Sequence, residues 1–391
     1  MDNVTLVIPT YRIQIVGSHF KPTFRPVIQH GYWTYKSFKD EFGPFRRFTQ
    51  NAPAESRAKG IVYPNLTIYE KVVGLNYSCN LYIACSLPKL LWGQSYSELK
   101  DTDFEKVLTT LSKRLSDMGI KIKEDQLANA HVQTLHFAKN IRFKNLNEAK
   151  IFLERLSKVS YTGWHDNNVK SYSGDGKAVR FHTSTYEIIF YLKYADLLQK
   201  GTRSVDRNKT LQEIQLAKEF KKNKEIPAIV RIEIRYNGTR SIRSHLKAST
   251  QIDSPYWKFK EVFSSKVASQ VLNHFWQQLI SDPFNYYLLC KTDYKDICMR
   301  IQENYKESSS KEIDEVIGFF TRLQTQGVKE LKEDILSRHS RQTWIRKKKQ
   351  LAKFAKQFGK SDESLIETVT SALNDNPIYQ EHNYVKQLKL L

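Results

Sequence analysis

The sequence predicts an α+β protein, with a mixed domain over residues 1–250 and a helical domain over 251–391. Through most of the first part, apolar stretches of strand type are interleaved with stretches of helical period, which indicates an α+β fold with several antiparallel strands. From Tyr256 onward the pattern is helical. Ser, Thr, Asp and Pro cluster at 246–255, which favours a boundary there.

β-Branched and aromatic residues place the strands, and apolar residues at helical spacing place the helices. Strands are predicted at 4–16 (interrupted by Pro9), two or three times within 61–84, at 129–141, up to Tyr191, and at 230–235. Helices are predicted at 103–118, 145–159, beyond Tyr191 to about 224, 258–280, 294–305, 312–326, 328–337 and 341–358. Residues 20–60 and 161–177 are predicted as loop or irregular structure.

The composition restricts the class of protein. Apolar residues make up 40% and the net charge is +21, which predicts a globular protein that binds a polyanion, first of all nucleic acid. No apolar run approaches the ~20 residues of a membrane-spanning helix, and the start lacks a signal-peptide pattern. The four cysteines have no CxxC spacing, which argues against a zinc ribbon and favours free thiols in the cytoplasm.

The segment around Tyr191 carries the most specific chemical signal. Tyr191 stands where an apolar strand ends and an amphipathic helix begins. A tyrosine hydroxyl can attack a DNA phosphodiester, keep its energy as a phosphotyrosine and leave a free 3′-OH. Lys193, two residues further, would point the same way on an extended backbone and hold the phosphate.

Such an attack needs a divalent metal, and two other strands carry candidate ligands. By strand alternation His131 and Gln133 share one face, whereas His136 has the opposite parity unless a bulge intervenes. Glu233 is the best third ligand, because its two isoleucine neighbours point to the apolar face. Mg²⁺ or Mn²⁺ is the expected cofactor.

Each of these residues also has an ordinary structural interpretation. A tyrosine on a strand is more often packing than catalytic, and either histidine is more often a partner near a core than a metal ligand. Glu233 lies between Arg231 and Arg235, a spacing typical of a surface salt-bridge ladder. The spacing alone does not choose between the two interpretations.

The order of the motifs resembles the gene II family of replication initiators from filamentous phages, related prophages and plasmids. The similar segments, in order, are an opening strand ending in Ile8-Pro9, Leu81-Tyr-Ile-Ala-Cys-Ser-Leu-Pro-Lys-Leu-Leu-Trp-Gly93, residues 131–141, Tyr191-Leu-Lys193 and Val230-Arg-Ile-Glu233. The resemblance spans most of residues 1–330 and continues weakly to about 365. It implies an antiparallel-sheet nicking-endonuclease domain of the HUH, Rep-like type.

The resemblance makes Tyr191 the nucleophile and Glu233 a metal ligand. The family pattern commonly has Arg-apolar-Asp on the first metal strand, whereas His131-Val-Gln133 stands here, so either Gln133 or His136 takes the place of the aspartate. Tyr194 leaves a two-tyrosine mechanism open. Lys89 has two equally weighted interpretations, a DNA contact and a residue of a turn.

The last predicted helices favour DNA binding. Residues 337–360 contain no acidic residue, and an apolar stripe lies beneath the charge. Helix, turn, helix and then a basic helix is the order of a helix-turn-helix module, and these residues also resemble the C-terminal part of the family. The candidate DNA contacts here are Arg341, Arg346, Lys347, Lys348, Lys349 and Lys353.

The sequence therefore predicts a rolling-circle replication initiator in the cytoplasm of a bacterial host. It would nick single-stranded or supercoiled origin DNA through Tyr191, stay on the 5′ end and rejoin the displaced strand. A host helicase and DNA polymerase are implied, because no nucleotide-binding Gly-x-x-x-x-Gly-Lys-Ser/Thr motif is present. The alternative is a non-catalytic origin- or operator-binding protein; a tyrosine recombinase is disfavoured because it needs helical Arg/His groups and no metal.

Overall fold

A large antiparallel sheet organises the chain in the computed structural model. The structure describes residues 1–24, 45–53, 56, 60–73, 76–161, 168–172, 178–183, 185–199, 210–223, 227–290, 294–304, 309–358 and 364–375. Its strands are β1 Asn3–Pro9, β2 Gln14–Ile15, β3 Thr23–Phe24, β4 Phe45–Gln50, β5 Asn65–Val73, β6 Asn76–Ser86, β7 Ile120–Lys121, β8 His131–Arg142, β9 Asn168–Tyr172, β10 Ala178–His182, β11 Tyr186–Leu192 and β12 Ile229–Asn237. Ten of them form one sheet in the order β3-β4-β5-β6-β1-β8-β12-β11-β10-β9, and β2 pairs with β7 separately.

The helices connect the strands in the first part and follow one another in the last. They are α1 Leu87–Trp92, α2 Phe104–Asp117, α3 Glu124–Ala128, α4 Leu146–Lys158, α5 Lys193–Gln199, α6 Leu211–Asn223, α7 Thr239–Thr250, α8 Phe259–Val262, α9 Ser265–Ser281, α10 Pro283–Leu289, α11 Tyr294–Asn304, α12 Ser310–Arg338, α13 Arg341–Phe358 and α14 Ser364–Asn374. This mixture of elements confirms the predicted α+β class.

The α12 helix contains a break that the sequence also predicts. Gly327 has φ 80°, so the helix divides into two parts at the predicted junction between 326 and 328. A side chain at this position would place a Cβ 2.7 Å from the carbonyl oxygen of Lys158. The close approach of α12 to α4 therefore requires a glycine here.

The two faces of the sheet differ in their side chains and in what covers them. On β1, β8, β11 and β12 alternate residues are buried and apolar, as the period of two along a strand demands. Helices α7, α9 and α14 pack against β8, and α4 packs against β10, β11 and β12. The apolar face of the sheet and these helices form one hydrophobic core.

The predicted boundary at residue 250 does not separate two cores. Apolar residues from β1 through α14, that is from both sides of the boundary, belong to the same buried cluster. The physical reason is that α9 and α14, which come after the boundary, cover the face of β8. A prediction based on composition finds the change from mixed to helical pattern, but it cannot find where the helices pack.

On the opposite face of the sheet, the described residues form a cover at one end only. A small second core of Tyr96, Tyr194, Leu197, Leu216 and Phe220 joins the loop after α1 to α5 and α6. The α5 helix contacts β11 and β12. Away from this end, side chains on the same face are partly exposed and mostly polar.

A bulge in β8 decides which of its side chains reach this face. In the pairing with β1, Thr5 lies opposite Thr134 but Leu6 lies opposite Val132, so Gln133 is an extra residue in β8. The bulge reverses the parity of the strand, and Thr134 and His136 therefore join the polar face while Leu135 and Phe137 enter the core.

Several predicted elements differ from the structure. The predicted loop 161–177 contains β9, an edge strand, and the irregular stretch 20–60 contains β3 and β4. The helix predicted over 258–280 is divided into α8 and α9, because Phe263 and Ser264 leave the helical conformation and Ser264 caps α9. The elements β10, α7, α10 and α14 were not predicted from the sequence, and neither were the short elements α1, α3 and β7.

Candidate active site and nucleic-acid interface

Three neighbouring strands bring the central candidate residues to one face of the sheet. In the β12 register, Glu233 lies opposite Ala138 of β8 and Ile189 of β11. Two residues along β12 in one direction, Arg235 lies opposite His136 of β8. Two residues in the other direction, Arg231 lies opposite Tyr191 of β11. Both pairs are on the same face of the sheet as Glu233. Directly opposed residues share a face, so His136, Glu233 and Tyr191 converge.

Glu233 is at the centre of this group. Its side chain is 1% exposed, and its two oxygens face different partners. Oε1 lies 3.3 Å from Nδ1 of His136. Oε2 accepts hydrogen bonds from Nη2 of Arg235 at 3.0 Å and from the hydroxyl of Tyr191 at 3.4 Å.

The charge of Glu233 is set by two opposing effects. Burial alone would raise the pKa of its carboxyl group. The contacts with His136 and Arg235, together with the nearby charge of Arg231, outweigh burial and hold the pKa of Glu233 well below its ordinary value. Glu233 is therefore a carboxylate at neutral pH, able to accept hydrogen bonds but too weak a base to remove a phenol proton efficiently.

Tyr191 lies between this carboxylate and an ammonium group. Lys193 is 2% exposed, and its Nζ donates to the Tyr191 hydroxyl at 3.5 Å and to Oγ of Ser95 at 3.1 Å. Tyr191 itself is only partly buried. The Tyr191 hydroxyl thus accepts a hydrogen bond from the ammonium and donates one to the carboxylate.

His131 and Gln133 are not part of this convergence. His131 is exposed at the start of β8, where its ring packs edge-on against Tyr256 with centroids 5.1 Å apart. At ~3.3 Å per residue, five residues of strand place it roughly 16 Å from His136. Gln133 occupies the bulge. The sequence left open whether Gln133 or His136 takes the place of the family's aspartate, and the structure places His136 beside Glu233.

Tyr194 and Lys89 have structural partners. Tyr194 is 7% exposed, packs against Phe220 with ring centroids 5.4 Å apart, and has its pKa raised by burial. Lys89 forms an ion pair with the buried Glu213 at 2.9 Å. Tyr194, which was expected as a possible second nucleophile, is therefore buried. Lys89, which was expected as a possible DNA contact, is paired with a carboxylate inside the protein.

The side chains around Glu233 include types that divalent ions take as ligands. Among the described residues, no group of three or more His, Cys, Asp and Glu side chains could hold a metal. A third polar side chain is present, however: the amide nitrogen of Asn3 on β1 lies 3.3 Å from Nδ1 of His136 and donates to Oδ2 of Asp2 at 3.2 Å. Carboxylate and imidazole suit Mg²⁺ or Mn²⁺, and an amide suits them where its oxygen is turned toward the ion.

Several residues of the site were not predicted as functional. Arg231 is 2% exposed and is held by Asp2 at 2.8 Å and by the carbonyl oxygen of Ser95 at 2.9 Å. Strand parity places Arg231 and Arg235 on the face of Glu233, so the sequence contains a signal for them. Asn3 and Ser95 come from distant parts of the chain, and no local pattern identifies them.

The basic helix α13 carries two lysines in ion pairs and several basic residues at exposed positions. Its residues Trp344 and Leu351 are buried, which confirms the apolar stripe. Lys347 pairs with Glu315 at 2.7 Å, and Lys348 pairs with Asp282 at 2.6 Å. The exposed positions are Arg341, Arg346 and Lys349, and the side chain of Lys353 lies outside the described part of the structure.

Comparisons with protein families, curated proteins and solved structures find no match. None of the helices in the described part of the chain has both the length and the apolar character needed to cross a bilayer.

Proposed function

We propose that the chain is a rolling-circle replication initiator that nicks and rejoins origin DNA through Tyr191. The observation that carries the proposal is the position of the Tyr191 hydroxyl, within 3.5 Å of both the Lys193 ammonium and the Glu233 carboxylate on a partly open sheet face. The net charge of +21 supports a nucleic acid as the partner of this face.

The chemical step begins at the phenol oxygen. Lys193 favours loss of the phenol proton to solvent, and Glu233 orients the oxygen while it is still protonated. The oxygen attacks phosphorus, a tyrosyl phosphodiester forms, and the bond to the 3′ oxygen breaks, so that this oxygen leaves as a 3′-hydroxyl once it takes up a proton. Attack by a 3′-hydroxyl on the same phosphorus reverses the step and joins the strand.

A bound Mg²⁺ or Mn²⁺ would polarise the scissile phosphate and offset its negative charge. His136, Glu233 and Asn3 are the residues that would hold it. The two oxygens of Glu233 would then have different roles. Oε2 accepts hydrogen bonds from Tyr191 and Arg235 and keeps them in place, while Oε1 faces His136 and would bind the ion.

The helical C-terminal part would add affinity as a helix-turn-helix-like module. The exposed Arg341, Arg346 and Lys349 project from α13 and can contact phosphates. The proposal also retains the expected partners of such an initiator, a host helicase and a host DNA polymerase, and a site of action in the bacterial cytoplasm.

The test is covalent capture of DNA. The chain is mixed with Mn²⁺ and either a random single-stranded library or supercoiled DNA of the replicon that encodes it, and denaturing gels detect adducts and relaxed plasmid. Tyr191→Phe should abolish both products and retain binding within a few-fold, whereas Tyr194→Phe, the matched control, should retain both. DNA that is retarded but neither nicked nor captured would support the non-catalytic DNA-binding alternative.

A further inference from the structure

The start of β8 carries an exposed aromatic pair that the proposed chemistry does not use. Tyr256 is 61% exposed, and the ring of His131, also exposed, packs edge-on against it at an interplanar angle of 84°. An edge-to-face contact does not cover both faces of both rings. Flat aromatic surface therefore remains open to solvent at this end of the strand.

The register of the sheet places His131 on the face of the candidate site. On β1, Val7 lies opposite His131 and Asn3 lies opposite His136. Val7 and Asn3 are four residues apart on a regularly alternating strand, so they point to the same face. His131 therefore shares the face of His136, and at ~3.3 Å per residue it lies roughly 16 Å along β8 from it.

Tyr256 is held on this face by a short extension of the sheet. An isolated bridge pairs Lys258 with His131, and the backbone amide of Val132 donates to the carbonyl oxygen of Trp257 at 3.0 Å. Trp257 points away from His131 and is 5% exposed, whereas Tyr256 contacts the His131 ring. The Tyr256 ring thus projects from a fixed backbone, which lowers the entropy lost when a planar ligand stacks on it.

Short polar side chains separate the aromatic pair from the candidate site. The hydroxyl of Thr134 on β8 donates to that of Thr5 on β1 at 2.6 Å, and the exposed Asn237 of β12 lies opposite Thr134. Lys258 adds a positive charge beside the pair. Single-stranded DNA suits such a surface, because its unpaired bases stack on aromatic rings while its phosphates approach cations.

We propose that Tyr256, supported by His131, is a stacking platform for a base of the single strand that Tyr191 cleaves. The proposal rests on the proposed function for the position of the scissile phosphate. It adds to that function a second contact with the same strand, roughly 16 Å from His136. Stacking on Tyr256 does not require cleavage, so it can be measured in a chain that cannot form the adduct.

The experiment measures DNA binding by fluorescence anisotropy in a Tyr191→Phe background. One probe is a labelled oligothymidylate, and the other is an oligomer of the same length whose sugars carry no bases. Tyr256→Leu should weaken binding of the oligothymidylate by about tenfold or more, because the stacked base loses its ring. It should leave binding of the base-free oligomer within about twofold. Tyr256→Phe retains the ring and should retain the affinity for both probes.

Tyr77→Leu is the matched control. Tyr77 is 63% exposed on β6, but it has the strand parity of Leu81 and Ile83, which enter the core, so it lies on the other face of the sheet. This variant should bind both probes as the parent does. Circular dichroism checks that the variants are folded.

Three results would overturn the platform. They are no binding of the oligothymidylate, equal affinity of Tyr256→Leu and Tyr77→Leu for it, and an equal loss for the two probes. The outcome for nicking is separate. Adducts on Tyr191 together with a Tyr256→Leu variant of unchanged affinity would retain nicking and remove the platform, whereas binding that depends on Tyr256 without any adduct would do the reverse.

Discussion

At the scale of single residues, the site depends on which side chains the bulge at Gln133 turns toward Glu233. Strand alternation selects His131 and Gln133 as a pair, but the register change between Thr5 and Leu6 brings His136 to the polar face instead. From the sequence, His136 could join the site only if a bulge intervened, yet nothing in the local pattern shows where β1 pairs. Tyr191 was chosen for its place between a strand and a helix and for the order of the motifs, and Glu233 for strand alternation; the structure brings the Tyr191 hydroxyl within 3.4 Å of the Glu233 carboxylate.

The first prediction concerns the two histidines of β8. His136→Ala should raise the Mn²⁺ concentration for half-maximal adduct formation by about tenfold or more, because it removes the imidazole beside Oε1 of Glu233. His131→Ala, the matched control, removes an imidazole of the same strand that is exposed and distant. Equal metal dependence in the two variants would exclude His136 as a ligand.

At the scale of elements, the central strands and most helices with a clear apolar stripe were predicted, whereas β3, β4, β9, β10, α7 and α14 were not. The junction in α12 at Gly327 and the α13 helix were predicted closely, since each has caps or apolar stripes within its own sequence. β9 and β10 lie in or beside a stretch rich in Gly and polar residues, and they exist because β11 offers an edge to pair with. Both strands pair with their neighbours in the chain, so the obstacle to prediction was the weak strand signal of two five-residue segments beside Gly-rich and polar residues.

One element makes the stability of the fold depend on pH. His245 of α7 stacks on Tyr236 with ring centroids 5.3 Å apart and also contacts Tyr186 and Phe275. Burial, with a smaller effect of His274, lowers the pKa of His245 to about 4. The unfolded chain, with an ordinary histidine pKa near ~6.5, therefore binds more protons than the folded chain between these values.

The free energy of unfolding should then fall as pH decreases from about 6.5 to 4, by on the order of 2–3 kcal/mol for this group. His245→Phe keeps an aromatic ring in the stack and should flatten the dependence, as measured by urea unfolding at a series of pH values. His131→Gln, which removes an exposed histidine, should leave the slope as in the wild type. An unchanged slope in His245→Phe would show that the imidazole of His245 is not the group that titrates.

A second prediction at this scale concerns α13. Neutralising the exposed Arg346 and Lys349 to glutamine should weaken DNA binding and lower the salt slope of log K by up to about 2, since each phosphate contact contributes ~0.9 to that slope. Neutralising Lys347 and Lys348, which pair with Glu315 and Asp282, should change the slope less. Equal slopes for both double variants and the wild type would mean that α13 does not contact DNA.

At the scale of the whole molecule, the polar face of the sheet and the layer of C-terminal helices lie on opposite sides of the sheet. The C-terminal helices cover the apolar face of the sheet, and the candidate site lies on the opposite face. The change to a helical pattern near residue 250 was visible in the sequence, but the packing of α9 and α14 onto β8 was not, because both apolar faces are compatible with many partners. The net charge of +21, a property of the whole chain, favours a polyanion as its partner.

The most direct test of the account is to locate the bond between protein and DNA. Adducts formed with Mn²⁺ and single-stranded DNA are digested with trypsin and nuclease, and the modified peptide is sequenced by mass spectrometry. The account predicts a nucleotide joined through its 5′ phosphate to Tyr191, with unmodified Tyr194. A modification on any other residue, or DNA cut without a protein-linked 5′ end, would contradict it.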